Sequence, residues 1–311
     1  MTNRPTQPQP SQVALPSGFS KGLIQTLGVV AVLVLVILNW NDFIGIFVNI
    51  LLWIYDVLGH TVNSFGWAIV LFTILIRAVT WPLNAQQMKS AQAMQELQND
   101  KEYQEIQKKY AKDREKLAQE QMRIQQARGI NMFASCLPTL LQFPIIIGLY
   151  QSITRAMAAT PLGMLELSRS VYSFLNVQDI IPLNSRFLWM DLGLPEGIPL
   201  PFEISFLPYG FPTLALIVAV TTYFQSKLTM PASSNPNDQS AMMSRQMALT
   251  MPLMLGWFAL TFPSGVSVYF ITSNLLGILQ YAATGRANWR NLLPGGSQPQ
   301  QPQKNVPARK K

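Results

Sequence analysis

Six stretches of mostly apolar residues, at 23–40, 65–83, 137–154, 209–226, 247–262 and 265–284, constrain this chain more than any other feature. A helix rises about 1.5 Å per residue, so crossing roughly 30 Å of hydrocarbon takes about 17 to 25 such residues. Helix is the expected form, because in lipid each backbone N–H and C=O must find its partner within the segment. Composition agrees: 49% of the 311 residues are apolar and 12% are charged, unlike a soluble domain. The chain is therefore expected to be an all-α polytopic membrane protein.

An even number of spans puts both termini on one side, and cytoplasmic loops keep the excess of Lys and Arg. With the N-terminus inside, the cytoplasmic pieces hold nineteen basic residues, nine of them from Lys89 to Arg128, whereas the outer side holds only Arg155, Arg169 and Arg186. Both termini are thus expected in the cytoplasm. The single cysteine, Cys136, excludes an internal disulfide framework and a Cys-based metal cluster. The segment 22–40 reads as a transmembrane anchor that is kept, since no small-residue cleavage pattern follows it before Asn41 and Asp42; a signal peptide is the competing reading.

Residues 1–20, with four Pro and no apolar period, read as a disordered tail, and 288–311 as a basic disordered tail. Between the first two spans, 43–62 is apolar with Trp53, Tyr55 and Asp56 interspersed and lacks Lys and Arg. It suits an amphipathic helix in the outer interface, with a seventh span as the alternative. Residues 84–131 change character to Gln, Lys, Glu and Ala, with apolar positions at Met88, Met94, Leu97, Tyr103, Ile106, Tyr110, Leu117 and Ile124 at helical spacing. Two antiparallel helices are expected there, broken near residues 111–114, either as a solvated connector or as a partner-binding arm. The outer segment 156–208, with six prolines, reads as a long loop, and 229–244 as a flexible polar loop.

Arg77 is the most informative single residue, because a guanidinium inside a span costs about 2.5 to 3.5 kcal/mol on insertion scales. It lies about 9 Å from the inner end of its span at about 1.5 Å per residue. It either snorkels to the cytoplasmic headgroups or lines a cavity that water enters from the cytoplasm. None of the fifteen Asp and Glu residues falls within the six spans, so Arg77 has no permanent intramembrane counter-charge there. Gln142, Tyr223, Gln225, Trp257, Thr272, Asn274 and Gln280 could complete a polar surface with it, although each alone is commonly glue between helices. The fifth window, about 24 Å long at about 1.5 Å per residue, falls short of a typical core and implies local thinning of the bilayer. A thinned bilayer beside a wet groove lowers the cost of passing a short polar segment across.

Residues 43–287 resemble the YidC/Oxa/Alb insertase family. The resemblance rests on LFTILIRAVTWPL (Leu71 to Leu83), EIQKKYAKDREKLAQEQM (Glu105 to Met122), CLPTLLQFPIIIGLYQSI (Cys136 to Ile153), FLWMDLGLP (Phe187 to Pro195), TTYFQSKLT (Thr221 to Thr229) and FPSGVSVYFITSNLLGILQ (Phe262 to Gln280). It implies a five-helix insertase core over 64–287, with a hydrophilic groove open to the cytoplasm and to lipid and closed outward. Arg77 would be the positive centre of that groove, with Gln142, Gln225, Tyr223, Trp257, Phe270 and Asn274 as further client-binding residues. Implied partners are nascent membrane-protein clients, the Sec translocon, membrane lipids, and ribosomes through the basic end Arg309, Lys310 and Lys311. The membrane would be a bacterial plasma membrane or a thylakoid. Three departures stand out. Phe270 stands where the family has Trp or Tyr, Ser226 replaces one Gln of a usual QQK, and the outer loop carries an added Pro-rich piece.

Such a protein is expected to work as an insertase and chaperone, without cofactor and without being an enzyme. A secondary transporter is the rival class, but coupled carriers generally use intramembrane carboxylates or inverted repeats, and neither is visible. A hydrolase needs a base or metal ligands, and the one histidine, His60, has no HExxH context.

Overall fold

The structure, a computed structural model, describes residues 31–285 except 99, 111–112, 129–131, 158–159, 176–179, 181–182, 199–209 and 230–238, together with positions 28 and 289. The expected tails, position 289 apart, and residues 22–27, 29 and 30 of the anchor 22–40 lie outside the described residues. Residues 31–38 are helical and lead through a turn at Asn39 into α1, Trp40–Val57. The helices that follow are α2 (Ser64–Gln98), α3 (Lys101–Lys109), α4 (Arg114–Ala127), α5 (Met132–Ala156), α6 (Pro161–Ser170), α7 (Thr213–Thr229), α8 (Gln239–Thr261) and α9 (Ser264–Ala283). A two-stranded hairpin, β1 (Arg186–Phe187) and β2 (Met190–Asp191), stands between α6 and α7. The helices α2, α5, α7, α8 and α9 form one bundle, and α9 packs along α2 and α7.

Several boundaries differ from those the sequence suggests. The helix expected over 43–62 runs instead over Trp40–Val57, because Gly59, His60 and Asn63 adopt positive φ angles that no helix continues through. Its length and its mean hydropathy of 1.2 also suit a span, as do those of Ser64–Gln86 and Ser264–Ala283. Its packing restricts it, however. Phe47 meets Phe72 edge-on at 5.1 Å, Tyr55 meets Phe65 at 5.9 Å, and Trp40 donates to Gln151 at 3.1 Å. All of these lie in the parts of α2 and α5 remote from the α3–α4 hairpin. The His60 ring stacks on Tyr55 at 5.0 Å, and its Nε2 lies 2.9 Å from Asp56 Oδ1.

The change of composition at residue 84 is not a break. Helix α2 continues through Pro82 into the polar region as far as Gln98, since helix geometry is indifferent to whether its side chains face lipid or water. The hairpin therefore has three helical pieces: the end of α2, then α3 capped by the Asp100 carboxylate on the Glu102 N–H, then α4. Leu97, Tyr103 and Ile124 form its small buried cluster. Helix α8 begins at Gln239, inside the segment expected as a loop, and the outer segment 156–208 carries both α6 and the β-hairpin. Thr160 caps α6 by accepting from the Gly163 N–H, with Pro161 at the first helical position, where its missing donor costs nothing.

The apolar core is concentrated at the end away from the α3–α4 hairpin. There Ile44, Leu51 and Tyr55 of α1 meet Phe65, Ile69 and Phe72 of α2, Leu149 and Ile153 of α5, and Val266 of α9, all buried. The β-hairpin closes this end: Ser264 and Gly265, which open α9, donate their N–H groups to the carbonyls of Leu194 and Leu192. Toward the α3–α4 hairpin the bundle interior carries polar side chains, among them Arg77, Gln142, Ser273 and Gln280.

Candidate functional site

That polar interior is built around Arg77. Helix α2 turns this residue toward α9, where Nε donates to the Ser273 hydroxyl at 3.0 Å and Nη2 donates to the same hydroxyl at 2.6 Å and to the Ser273 carbonyl at 2.7 Å. The side chain thus reaches across the bundle. Among the described residues no carboxylate pairs with it, and its Nη1 amino group makes no hydrogen bond. A guanidinium carries five N–H donors and can grip an oxyanion with two at once, so this one keeps capacity for an incoming acceptor.

A depression lined by Ile76, Arg77, Thr80, Leu83, Asn84, Gln142, Ile145 and Tyr269 runs from Arg77 toward the α3–α4 hairpin. Gln142 of α5 donates to the Tyr269 hydroxyl at 2.5 Å, which closes the side of the depression between α5 and α9. Thr80 returns its hydroxyl to the Ile76 carbonyl at 2.8 Å and so presents little free polarity of its own. Gln225 reaches the same centre from α7. A Cβ placed on Gly277 would come 2.6 Å from its Nε2 and 3.6 Å from Arg77 Nη2, so glycine at this point lets the amide and the guanidinium lie against α9 together.

Of the expected groove residues, the structure therefore brings Arg77, Gln142 and Gln225 to one place. Asn274 is buried one residue further along α9 and donates to the hydroxyls of Thr222 at 2.8 Å and Thr221 at 3.1 Å, joining α9 to α7. Phe270 belongs to the apolar core, edge-on to Tyr269 at 5.7 Å. Tyr223 and Trp257 are exposed on the bundle surface, and Lys227 Nζ lies 5.6 Å from the Tyr223 ring. Gln280 is buried with its Nε2 unbonded among the described residues. Sequence reasoning passed over Ser273 and Tyr269, the residues that actually hold Arg77 and Gln142. Spacing could have found them: residues 269, 273, 277 and 280 recur at the interval that puts side chains on one helix face.

Known proteins bear on this arrangement. The sequence model of the 60Kd inner membrane protein family matches residues 57–290. The membrane protein insertase YidC of Oceanobacillus iheyensis is 34% identical over 248 residues, covering 78% of this chain and 81% of that protein. The membrane protein insertase MisCA of Bacillus subtilis is 34% identical over 224 residues, covering 71% of this chain and 70% of that one. The chloroplast ALBINO3-like protein 1 of Arabidopsis thaliana is also 34% identical, over 71% of this chain but only 43% of its own length. With the family model spanning most of its length, this chain belongs to the 60Kd inner membrane protein family, which includes the YidC and ALBINO3-like proteins.

Proposed function

We propose that this membrane protein is an insertase and chaperone, receiving short hydrophilic segments of client proteins at Arg77 and releasing their apolar spans into lipid. The observation that carries this reading is a cation without a counter-ion among the described residues, held by a serine at the boundary between an apolar core and a polar half-bundle. An incoming carboxylate or peptide carbonyl replaces water at the Nη1 group, where the low local dielectric strengthens the contact. Gln142 and Gln225 offer neutral amides beside it. The apolar core beyond Phe72 stops the groove from becoming a pore.

The orientation that fits the distribution of basic residues puts the α3–α4 hairpin and both termini in the cytoplasm of a bacterial cell or the corresponding chloroplast side, so that the polar half faces the compartment where clients are made. Partners consistent with this placement are nascent clients, the Sec translocon, and ribosomal RNA at the basic residues Arg309, Lys310 and Lys311, which lie outside the described residues. The step is binding and release, with no bond made or broken, so no enzymatic activity is assigned.

The test is insertion of a single-span client with an acidic translocated tail into liposomes containing this protein alone. Wild type should insert, Arg77→Ala should lose at least about tenfold, the value of one charge-assisted contact of about 1.4 kcal/mol or more, and Arg77→Lys should keep most activity. Equal insertion by all three would remove Arg77 from the mechanism.

A further inference from the structure

At the end of the bundle away from the α3–α4 hairpin, the two-residue turn between β1 and β2 presents Leu188 and Trp189, which are 63% and 57% exposed. Exposed apolar residues in a surface loop need no explanation when the loop is loose. This one is held at every side. The Phe187 ring lies against Gly66, where an added Cβ would come 2.0 Å from its nearest carbon, and it meets the Trp67 ring edge-on at 6.0 Å. Leu192 and Leu194 accept the first N–H groups of α9, and Ser264 Oγ donates to the Asp191 carbonyl at 2.7 Å.

Two donors of the turn are likewise engaged. Leu188 takes a φ of 53°, a conformation a leucine rarely adopts, and its N–H donates to Asn63 Oδ1 at 2.6 Å. The Trp189 indole N–H donates to Glu196 Oε1 at 3.0 Å, and the other oxygen of this buried carboxylate accepts the Leu214 N–H at 2.9 Å. A tryptophan at a membrane boundary ordinarily needs water or a headgroup for its N–H. Here that donor is satisfied from within. Non-helical backbone can enter lipid only when its polar groups are satisfied inside the protein, and this tip meets that requirement at Leu188 N–H and Trp189 Nε1.

We infer that the tip formed by Leu188 and Trp189 is a wedge seated at the boundary between headgroups and acyl chains of the leaflet on that side of the membrane. The partner is lipid because the surface is continuous with one that lipid must cover: Trp67, in ring contact with the hairpin, heads the exposed apolar face of α2 that continues through Leu71, Ile74 and Leu75. The hairpin is bound to the first turns of α2, α7 and α9, so the wedge holds the starts of three spans at one depth. Its strained leucine is then explained as the geometry that aims two apolar side chains outward from a two-residue turn.

The experiment places a nitroxide at Leu188→Cys in a Cys136→Ser background, reconstitutes the full chain in phosphatidylglycerol–phosphatidylethanolamine liposomes, and compares collision rates with oxygen and with a nickel chelate. Glu102→Cys, on the exposed surface of α3, is the aqueous reference. The expected result is an oxygen-to-nickel ratio at residue 188 several-fold above that at residue 102. A ratio equal to the reference overturns the wedge, and so does exclusion of both reagents, which would mean that a second copy or another protein covers the tip. Because the cysteine changes the turn, the intact tip is read separately: headgroup-proximal brominated lipids should quench a smaller part of the tryptophan fluorescence in Trp189→Phe than in wild type. An unchanged quenched fraction overturns the inference as well. Neither readout depends on client insertion.

Discussion

Arg77 and Ser273 are joined twice through one hydroxyl, from Nε at 3.0 Å and from Nη2 at 2.6 Å, with the Ser273 carbonyl 2.7 Å from the same Nη2. The hydroxyl can be removed by mutation and the carbonyl cannot. Ser273→Ala should therefore leave the guanidinium tethered to α9 while losing hydrogen bonding to a charged group, worth about 1.5 to 3 kcal/mol. Thermal unfolding of the detergent-purified protein should show a lower apparent Tm for Ser273→Ala and near wild-type behaviour for Ser273→Thr, which keeps a hydroxyl. An unaltered Tm in Ser273→Ala would mean that the hydroxyl contributes nothing to holding Arg77.

Gln142 and Tyr269 supply a second, independent check on the depression. Their 2.5 Å contact joins α5 to α9 at the wall beside Arg77. Gln142→Leu and Tyr269→Phe should each weaken the bundle, and the double variant should be less damaged than the sum of the two. Hydrogen bonds between membrane helices average about 0.6 kcal/mol and reach about 1.7 kcal/mol, so a coupling in that interval is expected from a double-mutant cycle in denaturant. Strict additivity would show that the two side chains do not act as a pair.

What was legible in the sequence follows from what leaves a mark on composition. Arg77 is the sole Lys or Arg within the six apolar windows, so its cost alone exposes it. Ser273 leaves no such mark, because a serine in an apolar helix is inexpensive, and it stands between Thr272 and Asn274, which attracted attention for their polarity. Only its position on the face of Tyr269 and Gly277 distinguishes it, about 100° around the helix from each neighbour. Trp257 and Tyr223 were named for an aromatic ring with a polar tip, and the structure places both exposed on the bundle surface, apart from the contacts that gather Arg77, Gln142 and Gln225. The run-on of α2 from span into hairpin was hidden for a related reason. Polarity changes at residue 84 while helix propensity does not, since Gln, Lys, Glu, Met and Ala all favour the helix that the span has begun. The β-hairpin was invisible because two-residue strands have no period to read.

Gly66 and Phe187 make a steric prediction. The ring of Phe187 occupies the space into which a side chain at residue 66 would point, with ring carbons 2.0 to 2.6 Å from an added Cβ. Gly66→Ala should therefore displace the β-hairpin from the start of α2, although alanine is the better helix former by about 1 kcal/mol. The apparent Tm should fall, and Phe187→Ala introduced on top should recover part of the loss, because it removes the colliding ring. A Gly66→Ala protein at least as stable as wild type would show that the ring moves aside freely.

The α3–α4 hairpin should fail separately from the bundle. Its buried cluster consists of Leu97, Tyr103 and Ile124 with Met94 and Ile106 packed against it, and it shares no member with the main core. Arg128 adds ion pairs to Asp100 and to Glu102, the latter at 3.7 Å, but such partly exposed pairs contribute at most about 1 kcal/mol. The cluster therefore rests on Tyr103, its largest side chain. Removing a buried aromatic from a full core costs about 3 to 5 kcal/mol, and from a cluster this small about 2 kcal/mol is a fair expectation, equivalent to roughly a 30-fold rise in the open population. Limited proteolysis of Tyr103→Ala should cut between residues 98 and 128 at least about tenfold faster than in wild type, with the Tm of the bundle unchanged. Equal cutting rates would mean that the hairpin is already open in wild type, and a Tm that fell with the cutting would mean that hairpin and bundle fold as one unit.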